Sequence, residues 1–190
     1  MVKNYFRKTC PMRTCTKVYS NYSSYKKFLA KDFNHRCGYT DSSDIWFGGM
    51  TTFHVDHFRP LKDYPGLKAD YSNLVYSCSY VNILKSNDDP NKYLEPCLDD
   101  YNTHFFRNSS GQILPNLNSP KAKYMHEKLK LGLARYQVIW LLDNIFDRMK
   151  QLQNLAQNFA DDSEDSVKIN KLNFQLTAEF VKYFEYIRQT

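Results

Sequence analysis

An α+β fold, mostly helical, is what this sequence predicts, and three observations carry the prediction. Two short β-prone runs, 51–58 and 73–78, are followed at once by a helical pattern, which makes a small strand–loop–strand–helix (ββα) core. An N-terminal helix precedes that unit. From Ser119 onward apolar residues recur at helical spacing with few strand signals. Residues 1–118 are therefore expected to form one region with its core at about 25–90, and residues 119–190 a C-terminal helical region.

The elements follow from local signals. Ser23 and Ser24 stand before Tyr25, Phe28, Leu29 and Phe33, which is helical spacing with a serine N-cap. Gly38, Asp41, Ser42, Ser43, Asp44, Gly48 and Gly49 mark turns over 37–50, with Ile45, Trp46 and Phe47 packing locally. The run at 51–58 is β-prone and Pro60 ends it. The run at 73–78 is the second strand, and Ser79 is positioned to cap a helix through Val81, Asn82, Leu84 and Lys85 that stops at Asn87, Asp88, Asp89 and Pro90. Residues 91–118 read as irregular, with a short strand pair around Phe105, Phe106 and Ile113, Leu114. Tyr124, Leu129, Leu133, Tyr136, Ile139, Leu142, Ile145 and Met149 then give one long helix or two. The acidic stretch at 161–165 interrupts them, and Ile169, Leu172, Leu176, Phe180, Tyr183 and Ile187 begin a final helix.

A chain of 190 residues can bury a core without staples. Its five cysteines, Cys10, Cys15, Cys37, Cys78 and Cys97, are odd in number and unevenly spaced, which fits a reducing compartment and leaves them as free thiols or metal ligands. No N-terminal apolar run reads as a signal peptide and no apolar stretch is long enough for a membrane span, so a cytoplasmic protein without membrane contact is expected. The formal charge of +6, with 15 Tyr and 13 Phe, suits a polyanion-binding surface, but the excess is spread along the chain and a mildly basic globular protein looks the same.

Chemistry concentrates between Cys37 and Lys85. Hydrolysis of a phosphodiester needs a base to activate water and a cation to neutralise charge on the phosphate and leaving oxygen. His57 is a candidate base, and Asp56 beside it supplies the hard oxygen that Mg²⁺ or Mn²⁺ prefers. Asn82, on the helix, offers an amide oxygen as a second ligand. Strict strand alternation would send Asp56 and His57 to opposite faces, so the strand must bend or end for both to serve one site. His54, two residues before Asp56, is placed to orient a ligand or touch the scissile phosphate. Arg59, Lys62 and Lys85 lie near enough to contact phosphates. Each of these residues has a plain alternative as a packed or solvated side chain.

Taken together, Cys37-Gly38-Tyr39, His54-Val55-Asp56-His57-Phe58-Arg59-Pro60, Asn73 to Cys78, and Asn82 followed by Lys85 resemble the HNH endonuclease family in order and spacing. The resemblance covers about residues 25–90. It implies a ββα-metal core with His57 as general base, Asp56 and Asn82 as ligands of one divalent cation, Mg²⁺ or Mn²⁺, and Asn73 holding the loop that positions the base. Nucleic acid is the implied substrate, with DNA favoured. Many HNH proteins also carry a structural zinc on two CxxC pairs; Thr40 and Val81 stand where the second cysteines would be and cannot replace thiolates, so no structural zinc is expected.

The wording from His54 to Pro60, the Asp70-Tyr71-Ser72-Asn73-Leu74 run, and Gly111-Gln112-Ile113 before a helical region are similar to the HNH nuclease subunit of Septu-type and retron-associated antiphage systems. That resemblance implies an effector nuclease working beside an ATPase partner subunit. Aromatic residues such as Trp140, Phe174 and Phe184 give the C-terminal helices surface for such docking, or for a homo-oligomer, although packing among themselves is the plain alternative. Two other readings compete for the whole chain. One is a catalytically idle nucleic-acid-binding or scaffold module with the same fold; the other is a zinc-ribbon-like protein built on Cys10, Cys15, Cys37 and Cys78.

Overall fold

The structure, a computed structural model, describes residues 4–160 and 163–189, so Asp161 and Asp162 of the acidic stretch lie outside the described residues. The chain divides into two compact units, Met1–Tyr136 and Gln137–Thr190. Its class is α+β and mostly helical, with small antiparallel sheets, as the sequence predicts.

Within the first unit, β1 (Asn4–Tyr5) is followed by an extended segment and a 3-10 turn at Tyr22–Tyr25 that runs into α1 (Lys26–Asp32). The N-cap is Asn21, whose side chain accepts from the Ser23 N–H, in place of the serines expected there. Two 3-10 turns, Asp44–Phe47 and Gly49–Thr52, follow in the expected loop, the second taking Thr51 and Thr52 from the expected strand run, and Gly48, at φ 99°, supplies the left-handed link between them. Strands β2 (Phe53–His57) and β3 (Leu74–Cys78) pair antiparallel with Asp56 opposite Val75 and His57 opposite Leu74. Helix α2 (Ser79–Lys85) follows β3 without a break. Ser79 does not cap it. Its hydroxyl donates to the Thr52 carbonyl at 2.6 Å, so it ties the start of α2 to the entrance of β2. The helix runs through Lys85 as expected and ends at Ser86, whose φ of 47° turns the chain away.

Beyond α2 come the short α3 (Tyr101–His104), β4 (Phe105–Arg107) and β5 (Ile113–Pro115). The strand pair expected near 105 and 113 is present, and β1 adds to it in the order β1-β4-β5. Two residues of strand at the N-terminus carry no periodic signal, which is why β1 has no counterpart in the sequence reading. Helix α4 (Pro120–Lys128) is capped by Ser119, which accepts from the Ala122 N–H, and Lys130 at φ 53° separates it from α5 (Ala134–Ala156). The core of this unit gathers Leu29 and Ala30 of α1, Leu74, Val75 and Tyr76 of β3, Val81 of α2, and Phe6, Tyr101 and Phe105 around the second sheet, all fully buried. Burying a Leu or Val side chain contributes roughly 1.5–3 kcal/mol, so this shared core sets the geometry of the ββα unit against α1.

The second unit is the body of α5 and then α6 (Glu164–Gln189). Glu164 and Asp165 stand in the first turn of α6 and Arg188 in the last, the arrangement that complements the helix dipole. Along α6 only Ser166 and Ile169 are fully buried, while Phe174 is 75 % exposed and Leu172, Val181 and Phe184 are exposed as well. No helix among the described residues is long and apolar enough to cross a membrane.

Candidate active site

A cleft of about 500 Å³ lies along the end of β2 and the exposed side of α2, and Tyr22, His54, Asp56, His57, Asn82 and Ile83 are among its lining. Asp56 and His57 thus reach one cleft although they are neighbours on a strand. The ladder ends just beyond them, with Phe58 N–H donating to the Asn73 carbonyl at 2.8 Å, and the cleft wraps that end.

Each side chain is held differently. The His57 Nε2 lies 2.9 Å from the Lys68 carbonyl oxygen. A carbonyl only accepts, so Nε2 must carry the proton, and in the neutral ring Nδ1 keeps its lone pair. The ring also meets Tyr22 edge-on, with centroids 4.8 Å apart. Lys68 sits in the loop between β2 and β3, and Asn73 anchors that loop. Its Oδ1 accepts from Arg59 N–H at 2.8 Å and its Nδ2 donates to the Arg59 carbonyl at 3.0 Å. One buried carboxamide therefore fixes the residue two beyond His57 from both sides.

Asp56 is buried, 6 % exposed, and shares its charge with two partners. Tyr39 donates its hydroxyl to Oδ2 at 2.6 Å, and the Lys85 ammonium lies 3.2 Å from Oδ2 and 3.4 Å from Oδ1. The same ammonium donates to the His57 carbonyl at 2.9 Å and lies within 5.9 Å of the Phe58 ring centre and 5.8 Å of that of Tyr93. Burial pushes the Asp56 carboxyl upward; the Lys85 charge and the Tyr39 hydroxyl pull the other way and leave a net rise. Burial, and then the Asp56 charge, push the Tyr39 hydroxyl well above the usual phenol range, so Tyr39 keeps the proton it donates.

Lys85 stands corrected. Expected as a phosphate contact on the surface, it is fully buried and its ammonium is committed to Asp56 and the His57 carbonyl. Arg59 and Lys62 are exposed in the loop after β2, Arg59 beside the Tyr64 ring. His54 is exposed at the rim of the cleft, and Asn82 is half-buried within its wall.

Sequence reasoning missed the supports behind Asp56. The 38–40 turn that presents Tyr39 is pinned by two buried arginines far away in the chain. Arg7 donates to the Gly38 carbonyl at 2.8 Å, and Arg107 to the Thr40 carbonyl at 2.9 Å. Gly38 lies so close to β3 that a Cβ there would meet Val75 at 2.7 Å and Phe33 at 2.8 Å. No periodicity or motif links residues 7, 39 and 107; the one available signal was Gly38 itself, between Cys37 and Tyr39.

The cysteines flanking this turn are buried and free, as are the two positions that lack them: Cys37, Thr40, Cys78 and Val81 are each at most 1 % exposed. The Cys78 N–H donates to the Cys37 sulfur at 3.5 Å. Burial works to raise the Cys37 thiol, but hydrogen bonds from Cys78 and Thr40 bring it down to about 6.

As metal donors, the cleft offers the Asp56 carboxylate, the Asn82 carboxamide and imidazoles, and no group of three or more His, Cys, Asp or Glu among the described residues is arranged to hold an ion. A carboxylate has about four lone-pair sites, and Tyr39 and Lys85 leave some of those on Oδ1 open. A sparse oxygen set of this kind suits Mg²⁺ or Mn²⁺, which keep several waters.

A buried carboxylate, an oriented imidazole and a carboxamide thus line one cleft on a strand–strand–helix frame. Residues 35–88 match the family model described as HNH endonuclease, a span that runs from just before Cys37 to just beyond Lys85. The match supports a nuclease-type enzyme, whose family generally uses a divalent metal and a nucleic acid. No curated protein matches the sequence.

Proposed function

We propose that this protein is a metal-dependent HNH endonuclease that hydrolyses phosphodiester bonds in DNA. The observation that carries the reading is the His57 ring, held by the Lys68 carbonyl through Nε2 in the same cleft as Asp56 and Asn82. Nδ1 takes a proton from a water molecule; the resulting hydroxide attacks phosphorus, and the bond from phosphorus to the leaving sugar oxygen breaks. Asn73 keeps the imidazole loop in register through Arg59. Asp56 and Asn82 hold Mg²⁺ or Mn²⁺, which when bound neutralises charge developing on the phosphate and leaving oxygen. Arg59 and Lys62 contact flanking phosphates, and His54 contacts the scissile one.

The resemblance of the 54–60 and 70–74 runs to antiphage nuclease subunits supports a role as the effector of such a system in the cytoplasm. Phe174, Leu172, Val181 and Phe184, exposed on α6, support docking of an ATPase partner there.

The test is cleavage of supercoiled plasmid with Mg²⁺ or Mn²⁺. Nicking or linearisation should disappear with EDTA and fall by about 100-fold or more in His57→Ala. Cleavage that survives both changes would overturn the reading, as would silence of the wild-type protein with its ATPase partner present.

A further inference from the structure

A second groove opens on the ββα unit, where α2 begins. Phe47, Thr52, Ser79, Tyr80, Arg135 and Tyr136 line about 510 Å³ of space, and most of the wall is aromatic or aliphatic. Arg135 is its one cation. The guanidinium lies over the Phe47 ring, 5.1 Å from its centre, and Nη2 reaches the Trp46 carbonyl at only 3.5 Å. Nε is buried with no hydrogen-bond partner, and no carboxylate pairs with the group among the described residues. A guanidinium presents five donors in a flat fork, so most of this one's capacity is unspent. Tyr80, 47 % exposed, lines the same groove.

Aromatic faces combined with an underused planar cation fit a flat ligand rich in hydrogen-bond acceptors and attached to negative charge, which is the chemistry of a nucleobase on its phosphate. A purely apolar group would leave the Arg135 donors unmatched. Position argues the same way. Tyr80 and Ile83 are neighbours on one face of α2, about 4.5 Å apart along the axis, and Ile83 lines the cleft that holds Asp56 and His57.

We propose that this groove is a base-binding subsite. It takes an unpaired nucleobase of the strand being cut, stacked on Tyr80 and hydrogen-bonded by the Arg135 guanidinium that Phe47 supports, while the adjoining phosphodiester enters the cleft. The proposal rests on the nuclease reading of that cleft. It makes the preferred substrate a single strand, a flap or a distorted duplex, because a base paired in an intact duplex must first leave its stack to enter.

The test is fluorescence anisotropy on full-length His57→Ala protein, which leaves the strand uncut, with three labelled probes: a single-stranded oligonucleotide, the same length with abasic sites, and a blunt duplex. Tyr80→Ala and Arg135→Lys, each introduced into that background, should weaken single-strand binding by about ten-fold, the loss expected for one stacked base, and leave the abasic and duplex probes nearly unchanged. Melting temperatures report whether either variant has lost its fold, and Arg135→Lys keeps the charge. Unchanged single-strand binding in both variants would overturn the subsite alone, as would an equal loss on the abasic probe, which reduces the groove to a charge contact. If the His57→Ala parent binds none of the three probes, the nuclease reading falls and the subsite with it.

Discussion

Lys85 ends a helix that borders an open cleft, yet its ammonium is fully buried between Asp56, the His57 carbonyl and two aromatic rings. An ion pair taken out of water gains little over an apolar pair of the same shape, but losing one partner strands the other charge. Lys85→Ala should therefore destabilise the protein by about 3–5 kcal/mol in chemical denaturation, whereas Asp56→Asn combined with Lys85→Met should recover most of that loss and remain inactive. A double variant no more stable than Lys85→Ala would show that the pair is not coupled. The sequence places a lysine three residues after Asn82 and says nothing of its burial. Charge in a sequence reads as surface by default, and only packing against Phe58 and Tyr93 reverses that.

At the scale of elements, the site depends on how β2, the 58–73 loop and β3 are held in register. The ladder fixes Asp56 and His57 against β3, and the loop that supplies the Lys68 carbonyl is kept in place by the Asn73 carboxamide, by its own turns and by Tyr71, which packs on Tyr25 and donates to Asp32. Asn73→Ala removes the acceptor of the part-buried Arg59 N–H, which costs about 1 kcal/mol, and frees the His57 ring from its orienting loop. Cleavage should then fall by about 100-fold, mostly in kcat, because a small misplacement of a reacting group is felt at the chemical step. A loss confined to stability, with kcat unchanged in the folded protein, would remove Asn73 from positioning. The order of these elements was legible because Pro60, Asn73 and the β-branched runs are local signals. The caps at Asn21 and Cys78 were not, since several polar residues near each helix start could serve and tertiary contacts choose among them.

On the scale of the molecule, the first unit is tied together by polar hubs that join distant segments. Asp32, at the end of α1, accepts from Thr14 N–H at 2.6 Å, the Thr14 hydroxyl at 2.7 Å and the Tyr71 hydroxyl at 2.7 Å. Burial works to raise this carboxyl, but those hydrogen bonds outweigh it and hold it below the usual carboxylate range. A depressed folded pKa means that stability is fully present above the unfolded value and is lost as pH falls through the folded one. Asp32→Asn should flatten the loss of stability below about pH 4, measured as the denaturation midpoint against pH. An acid limb as steep as in the wild type would place the linkage elsewhere. The second unit shows the opposite character, with an amphipathic α6 that leaves Phe174, Leu172, Val181 and Phe184 in solvent, surface that the proposed partner would cover.

By itself the sequence determined the α+β class, the strand–loop–strand–helix order and the candidate positions Asp56, His57, Asn73 and Asn82 within one motif, because period, turn chemistry and motif spacing act over a few residues. Only the tertiary structure decided that Asp56 and His57 reach one cleft, that Lys85 is a buried counterion, and that Arg7 and Arg107 fix the turn presenting Tyr39. Those outcomes depend on contacts between residues tens of positions apart. Such contacts are set by how the core closes, and a one-dimensional pattern does not encode that closure locally.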